Sequence, residues 1–385
     1  MSEIRPPDQT GGQSGPEMAD LAWVRELLEG VFGIENVTFE DVTKEILRGR
    51  GIRVRGRFLI DTASAYTRLA PQCRARGRTL MFRHEGKEAF IRIVEGVIKP
   101  TPNNIWIPLV LAAATVVSVL FSYIFFWETP ALTWAGIKDS LGKGWAFTLS
   151  LLAIIGTHEL GHYFVARYYG VAVTLPHLVP FPLSPFGTMG AVIREKDIPR
   201  DKRIKMLIGA AGPIAGLVVD IPILLIGLGL SEVLPLPATG AYSMEGNSLL
   251  YAALKFVSFG RLLPSHGEDV FLHPVALAGW AGLLVTFLNL MPAGQLDGGH
   301  VAYALLGPKA RYLTWAIIAI ALGLAILWPG WLLWAVLVFV LARVSVPPLD
   351  DVTPLTPMEM VIAILLLAAF VLTFSPIPLR IVVVQ

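Results

Sequence analysis

The chain changes its polarity pattern near residue 100. Before that point, apolar and polar residues interleave over short stretches. Met18 to Phe32 places Leu21, Trp23, Val24, Leu27, Leu28 and Val31 at helical spacing and predicts an amphipathic helix. Ile52 to Ile60 alternates with period two through Arg53-Val54-Arg55-Gly56-Arg57-Phe58 and predicts a strand. A helix is expected over Thr62 to Arg76, a strand over Thr79 to Arg83, a turn at Glu85-Gly86 and a strand over Ala89 to Val94. This β-α-β-β order predicts a small α+β domain over residues 18–99. Residues 1–17 are polar and rich in Gly, Pro and Gln, without the apolar core of a signal peptide, and are expected to form a disordered tail.

From Pro100 onward, long apolar runs replace the alternation. Spans are predicted at about Ile105–Trp127, Gly144–Tyr169, Ile204–Leu230, Pro274–Leu290, Leu313–Trp328, Trp331–Ala342 and Met358–Phe374. The fifth and sixth, separated by Pro329-Gly330, form either a hairpin of two short spans or one broken span, so six or seven spans are expected. A polar connection with Lys138, Asp139 and Lys143 is expected before the second span, and a long mixed connection over Ser231–Leu272. Gly170 to Lys196 is apolar but broken by Pro176, Pro180, Pro182, Pro185, Gly187 and Gly190. It reads either as a re-entrant, partly β segment lining a cavity, where a strand could pair with extended substrate, or as a surface loop.

Composition agrees with this division. Of 385 residues, 54% are hydrophobic, and the mean hydropathy is +0.63, which excludes an ordinary soluble globular protein. The net charge of +2 and the lack of aromatic residues interleaved with the arginines of the first domain argue against a nucleic-acid partner. A single cysteine, Cys73, excludes an intramolecular disulfide framework and a Cys-based zinc site. Arg194, Lys196, Arg200, Lys202, Arg203 and Lys205 follow the second span, whereas the opposite connections hold only Lys138, Lys143, Lys255 and Arg261. The positive-inside rule therefore places the C-terminal end of the second span and the first domain in the cytoplasm.

Two stretches carry chemistry. His158-Glu159-Leu160-Gly161-His162 has the pattern H-E-x-x-H near the end of the second span. On a helix, His158 and His162 lie one turn apart on one face and can offer two imidazole nitrogens to one metal ion. Glu159 is then placed to act as general base on a water held there, as in zinc metalloproteases. Ionisable groups inside an apolar span are costly and point to function. Two His leave a catalytic zinc one protein ligand short, and a carboxylate is the usual third. Asp297, in the uncharged run Asn289-Leu290-Met291-Pro292-Ala293-Gly294-Gln295-Leu296-Asp297-Gly298-Gly299-His300, is the best candidate. Asp220, inside the third span, either lines a polar path, competes for the metal, or is a hydrogen-bonded structural residue. His266 and His273 are expected to be non-ligands.

Together these stretches resemble the site-2 protease family of intramembrane zinc metalloproteases, and most nearly its EGY-like members. H-E-x-x-H at 158–162 and N-x-x-P-x-x-x-L-D-G at 289–298 stand in the family's order. Pro185-Phe186-Gly187-Thr188-Met189-Gly190-Ala191-Val192-Ile193 looks like its membrane-embedded β segment, and Ala211-Gly212-Pro213 like the turn opening its next core helix. The resemblance covers about residues 105–310. It implies an all-α polytopic membrane protein with a three-span catalytic core at about 144–310, within a membrane metalloprotease domain over 100–385. It also implies one Zn²⁺ per chain held by His158, His162 and Asp297, Glu159 as base, and Asn289 orienting substrate or the oxyanion. The expected substrates are single-span membrane proteins cut within their transmembrane helices, and the expected location is a prokaryotic cytoplasmic membrane. The alternatives are an ion-coupled polytopic transporter and a non-cleaving scaffold of the protease fold. No paired halves suggest a transporter, and the intact Glu159 argues against the scaffold.

Overall fold

The computed structural model describes residues 15–42, 49–86, 88–128, 133–341 and 346–384. The chain divides into two compact units, residues 1–99 with Leu349–Thr353, and residues 100–348 with 354–385. The expected tail lies outside the described residues up to position 14, and its last three residues open a helix.

The first unit comprises α1 (Gly15–Leu28), β1 (Phe32–Val42), β2 (Gly49–Phe58), α2 (Thr62–Ala75), β3 (Arg78–Glu85) and β4 (Glu88–Glu95). Its four strands form one antiparallel sheet in the order β1-β2-β4-β3. The periodicity of α1 carries Trp23, Val24, Leu27 and Leu28 into a core shared with Val54, Leu69, Phe82 and Ile91. α2 starts where Asp61 Oδ1 accepts hydrogen bonds from the amides of Ala63 (3.0 Å) and Ser64 (3.1 Å). Strand β1 is absent from the sequence reading, which ran the first helix through Phe32. A bulge between Ile34 and Asn36 shifts the register, so the alternation that marks a strand breaks partway along. Several arginines of this unit are paired: Arg53 and Arg55 with Glu85 and Arg92 with Glu40 (2.6 Å) across the sheet, and Arg78 with Asp20 of α1 (2.7 Å). Leu349–Thr353, far along the chain, adds to the edge of β3 at Phe82.

The second unit begins with α3 (Trp106–Trp127) and α4 (Trp134–Tyr168), followed by the hairpin β5 (His177–Pro180) and β6 (Thr188–Val192) and then α5 (Lys202–Gly229). Next come β7 (Glu232–Pro235), β8 (Gly240–Glu245), α6 (Leu249–Phe259), β9 (Glu268–Phe271), α7 (Pro274–Leu290) and α8 (Asp297–Leu306). A 3₁₀ turn leads into α9 (Ala310–Leu324), and α10 (Gly330–Leu341), α11 (Pro357–Thr373) and β10 (Leu379–Val384) complete the chain. The helix expected to reach Ala342 is described only to Leu341. Among the described residues, four helical stretches, α3, α4, α5 and the continuous run Asp297–Leu324, are long and apolar enough to cross a membrane, while α6, α7, α10 and α11 are apolar but shorter.

Two expectations are corrected here, and the long connection over 231–272 gains detail. Lys138, Asp139 and Lys143 do not form a connection: they belong to α4, which starts ten residues earlier than its apolar run. Thr133 caps it by accepting from the Gly136 amide (3.1 Å), and the Asp139–Lys143 pair, 2.9 Å apart at i,i+4, suits a helix surface. Ala211-Gly212-Pro213 does not open a helix but lies inside α5, whose cap is Asp201, accepting from the Ile204 amide (2.8 Å). The connection over 231–272 is structured, with β7 paired to β9 and β8 paired to β10.

The Pro-rich segment between α4 and α5 is tied to α3 by side chains reaching its backbone. Ser118 Oγ donates to the Gly187 carbonyl (2.6 Å), Ser122 Oγ to Pro182 (3.0 Å) and Trp127 Nε1 to Pro185 (2.7 Å). Ser118 and Ser122 are one turn apart, so one face of α3 donates hydrogen bonds to carbonyls of this segment. Around this frame, Phe147, Leu151 and Ile155 of α4, Leu224 and Leu228 of α5, and Ala276 to Leu283 of α7 form the main core.

Candidate metal centre

α4 and α5 run antiparallel in close contact. Gly161 lies against Ala211 and Ala215, Gly212 against His162, and Gly216 against His158. The approach at Gly212 leaves no room for a side chain, since a Cβ there would fall 2.0 Å from His162 Nε2. The small residues of α5 therefore let the imidazoles of α4 lie between the two helices. α8 closes the site. It starts at Asp297 because Gly298 packs directly on the carbonyl of Leu290 at the end of α7, where a Cβ would fall 1.9 Å from that oxygen.

This packing brings His158, His162 and Asp297 together. His158 Nε2 lies 3.2 Å from His162 Nε2 and 3.2 Å from Asp297 Oδ2, and His162 Nε2 lies 3.3 Å from Asp297 Oδ1. Donors about 2.0–2.1 Å from a tetrahedral ion stand about 3.3 Å apart, close to each of these separations, with the two imidazoles facing different oxygens of the Asp297 carboxylate. Two imidazoles and one carboxylate are also an open, three-ligand donor set of the catalytic kind. His162 Nδ1 lies 2.6 Å from the Ile208 carbonyl on α5. A hydrogen bond donated there leaves the Nε2 lone pair facing the triangle, the arrangement by which a second shell fixes the tautomer of a metal-binding His. The residues present fit a metal ion.

Glu159, the next residue of α4, is 5% exposed and within electrostatic reach of His158, His162 and Asp297. Asn289 Nδ2, on the last turn of α7, lies 3.3 Å from His158 Nε2, at the margin of the triangle. Asp220 is elsewhere: fully buried in α5, it faces Gly282 of α7, and neither carboxylate oxygen has a hydrogen-bond partner. His273 caps α7, its Nδ1 accepting from the Val275 amide (3.3 Å), and His266 lies in the loop before β9. Neither belongs to the triangle. Sequence reasoning missed the Ile208 carbonyl, which as a backbone atom leaves no residue signature, and the pairing of each His with one glycine of α5.

Over residues 146–329 the chain matches the model of peptidase family M50 and so carries a domain of the family to which the site-2 proteases belong. Among curated proteins, it is 31% identical over 285 residues to "Probable zinc metalloprotease EGY2, chloroplastic" of Arabidopsis thaliana, covering 72% of this chain and 50% of that protein. It is 30% identical over 236 residues to "Probable zinc metalloprotease EGY1, chloroplastic" of Arabidopsis thaliana, covering 59% and 42%. To "Probable zinc metalloprotease EGY3, chloroplastic" of Oryza sativa subsp. indica it is 26% identical over 250 residues, covering 58% and 41%. The chain spans about half the length, or less, of these relatives. No solved structure matches it.

Proposed function

We propose that this chain is a zinc metalloendopeptidase that hydrolyses peptide bonds within the transmembrane helices of membrane-anchored proteins. The observation that carries the reading is the His158–His162–Asp297 triangle, with Glu159 beside it, between helices apolar and long enough to cross a membrane. His158, His162 and Asp297 would hold one zinc per chain, which when bound supplies the Lewis acidity that polarises a scissile carbonyl. Glu159 takes the proton of the attacking water and returns it to the leaving amine. Asn289 turns its amide toward the oxyanion or the neighbouring substrate backbone. The β5–β6 hairpin, read as a re-entrant segment, offers an edge to substrate that has left its helical conformation.

In this reading, α4, α5 and α7 are the three-span catalytic core, within six or seven spans overall. The basic residues between α4 and α5 support a reading in which the nearby end of the site and the N-terminal domain face the cytoplasm, and the membrane proposed is that of a prokaryotic cell. The substrates are single-span membrane proteins.

Glu159→Gln tests the reading. The amide keeps the shape of the side chain but cannot accept the proton. The variant is expected to retain its zinc and its fold while cleavage of a model transmembrane substrate, followed by gel in detergent or bilayers, falls at least ~100-fold. Cleavage at the wild-type rate by a zinc-loaded variant would remove Glu159 from the role. If neither protein cleaves any transmembrane helix although both hold zinc, the protease reading fails in favour of a scaffold or transporter.

A further inference from the structure

β3 is an outer strand of the first unit's sheet, and an outer strand presents backbone groups that template the pairing of another segment. At Phe82, which stands opposite Ile91 on β4, both free backbone groups are taken by residues 266 positions and more along the chain. The Phe82 N–H donates to the Leu349 carbonyl (2.9 Å), and the Asp351 N–H donates to the Phe82 carbonyl (3.1 Å), forming a parallel bridge. Side chains of the domain add recognition. Arg83 Nη1 donates to the Leu349 carbonyl (2.9 Å), and Thr353 Oγ1 lies 2.8 Å from Thr62 Oγ1 at the start of α2.

The docked segment has its own shape. Asp350 Oδ1 accepts from the amides of Val352 (2.9 Å) and Thr353 (3.0 Å), turning the chain directly after the bridge. Asp350 and Asp351 are 1% and 4% exposed, and Leu349 and Val352 pack on the domain's core. The sequence Leu-Asp-Asp-Val-Thr thus meets the domain through its backbone and through Leu349 and Val352, while Asp350 sets the turn that presents them. These are the elements by which a sheet edge recognises an extended peptide: main-chain bonds for affinity and side-chain pockets for specificity.

We propose that the β3 edge is a peptide-binding site, that residues 349–353 are its resident intramolecular ligand, and that an extended acidic peptide of the same pattern exchanges with them. Among the described residues the parallel bridge joins the segment to β3 at Phe82, and the segment is also held there by being tethered. A tether of this kind supplies an effective concentration of about millimolar, which a partner of matching sequence can overcome. The segment also leads directly into α11, which packs on α7 and α8, the helices that carry Asn289 and Asp297. The inference does not depend on the protease reading.

The test uses the full chain in detergent and a fluorescent peptide with the sequence of residues 347–355. In a variant whose residues 349–353 are replaced by alternating Gly and Ser, the vacated edge is expected to bind this peptide at least ~10-fold tighter than the intact chain, by anisotropy. A peptide carrying Asp350→Ala, or the vacated chain carrying Arg83→Ala, should bind at least ~10-fold more weakly. Equal binding by the intact and vacated chains, or no binding by either while both melt cooperatively, overturns the proposal and leaves the contact a fixed structural one. Should the replaced variant fail to fold, the same peptide unlabelled and at millimolar concentration must raise amide exchange over residues 346–356 of the intact chain. No rise there also overturns it.

Discussion

Gly212→Ala should empty the metal site while leaving the helix that carries it intact. The added Cβ would lie 2.0 Å from His162 Nε2, whereas ordinary contact begins at 3.4 Å, so the imidazole must retreat by about 1.4 Å. Metal–ligand distances tolerate only about 0.2 Å, and the retreat also strains the bond from His162 to the Ile208 carbonyl. Disturbing an outer-shell partner typically costs 10–100-fold in affinity. Removing a ligand from the triangle should cost at least ~100-fold, or about 2.8 kcal/mol. The backbone effect has the opposite sign, because Ala is favoured over Gly in a helix interior by ~1 kcal/mol. Overpacking the helix contact costs about 1–3 kcal/mol against that gain, so the expected signature is a metal-free protein that melts cooperatively and at most a few degrees below the metal-free wild type. Zinc affinity by chelator competition on purified chain, with stoichiometry by elemental analysis, reads the first effect, and thermal melting reads the second. Gly216→Ala is the control: its Cβ meets His158 Nδ1 at 3.2 Å, so a shift of a few tenths of an ångström suffices and affinity should stay within ~10-fold. If Gly212→Ala binds zinc within ~3-fold of wild type, His162 is not a ligand in this geometry.

Asp297→Ala should lose most bound zinc, whereas Asp220→Ala, which removes a carboxylate facing Gly282, should keep it. Elemental analysis of the two proteins decides, and the reverse result would overturn the ligand assignment. Changing Ser118 and Ser122 together to Ala should cost about 1 kcal/mol per lost hydrogen bond. The loss should appear as faster amide exchange over residues 177–192, and unchanged exchange would mean the hairpin is held by other contacts. Cys73 is fully buried in the first unit, and burial raises its thiol to about 12. At pH 8 it is almost entirely the neutral thiol and should resist a maleimide until the protein is denatured, so native labelling at the rate of a free cysteine would refute its placement.

The metal centre was legible where its chemistry depends on local spacing. His158 and His162 declare themselves by standing one turn apart, and Asp297 by being the charge in an apolar stretch. What holds them was less visible. The Ile208 carbonyl is backbone, and the fit of His162 against Gly212 depends on how two distant helices meet. The same limit applies to the fold. β8 and β10 pair across more than a hundred residues of sequence, so neither short strand has a local signal. β1 is concealed by its bulge, and the first turns of α4 by three charged residues that resemble a loop until two of them are seen to pair along the helix.

The length of α4 sets a depth. Its 35 residues extend about 52 Å, against about 30 Å for the hydrocarbon layer of a bilayer, so part of this rod must stand outside the lipid. His162 and His158 lie six and ten residues before its end at Tyr168, which puts the ion about 9–15 Å from that end. α4 thus acts as a ruler with the reactive mark near one of its ends. Measured along the helix, the path from that end to the ion is less than half the path from the other end.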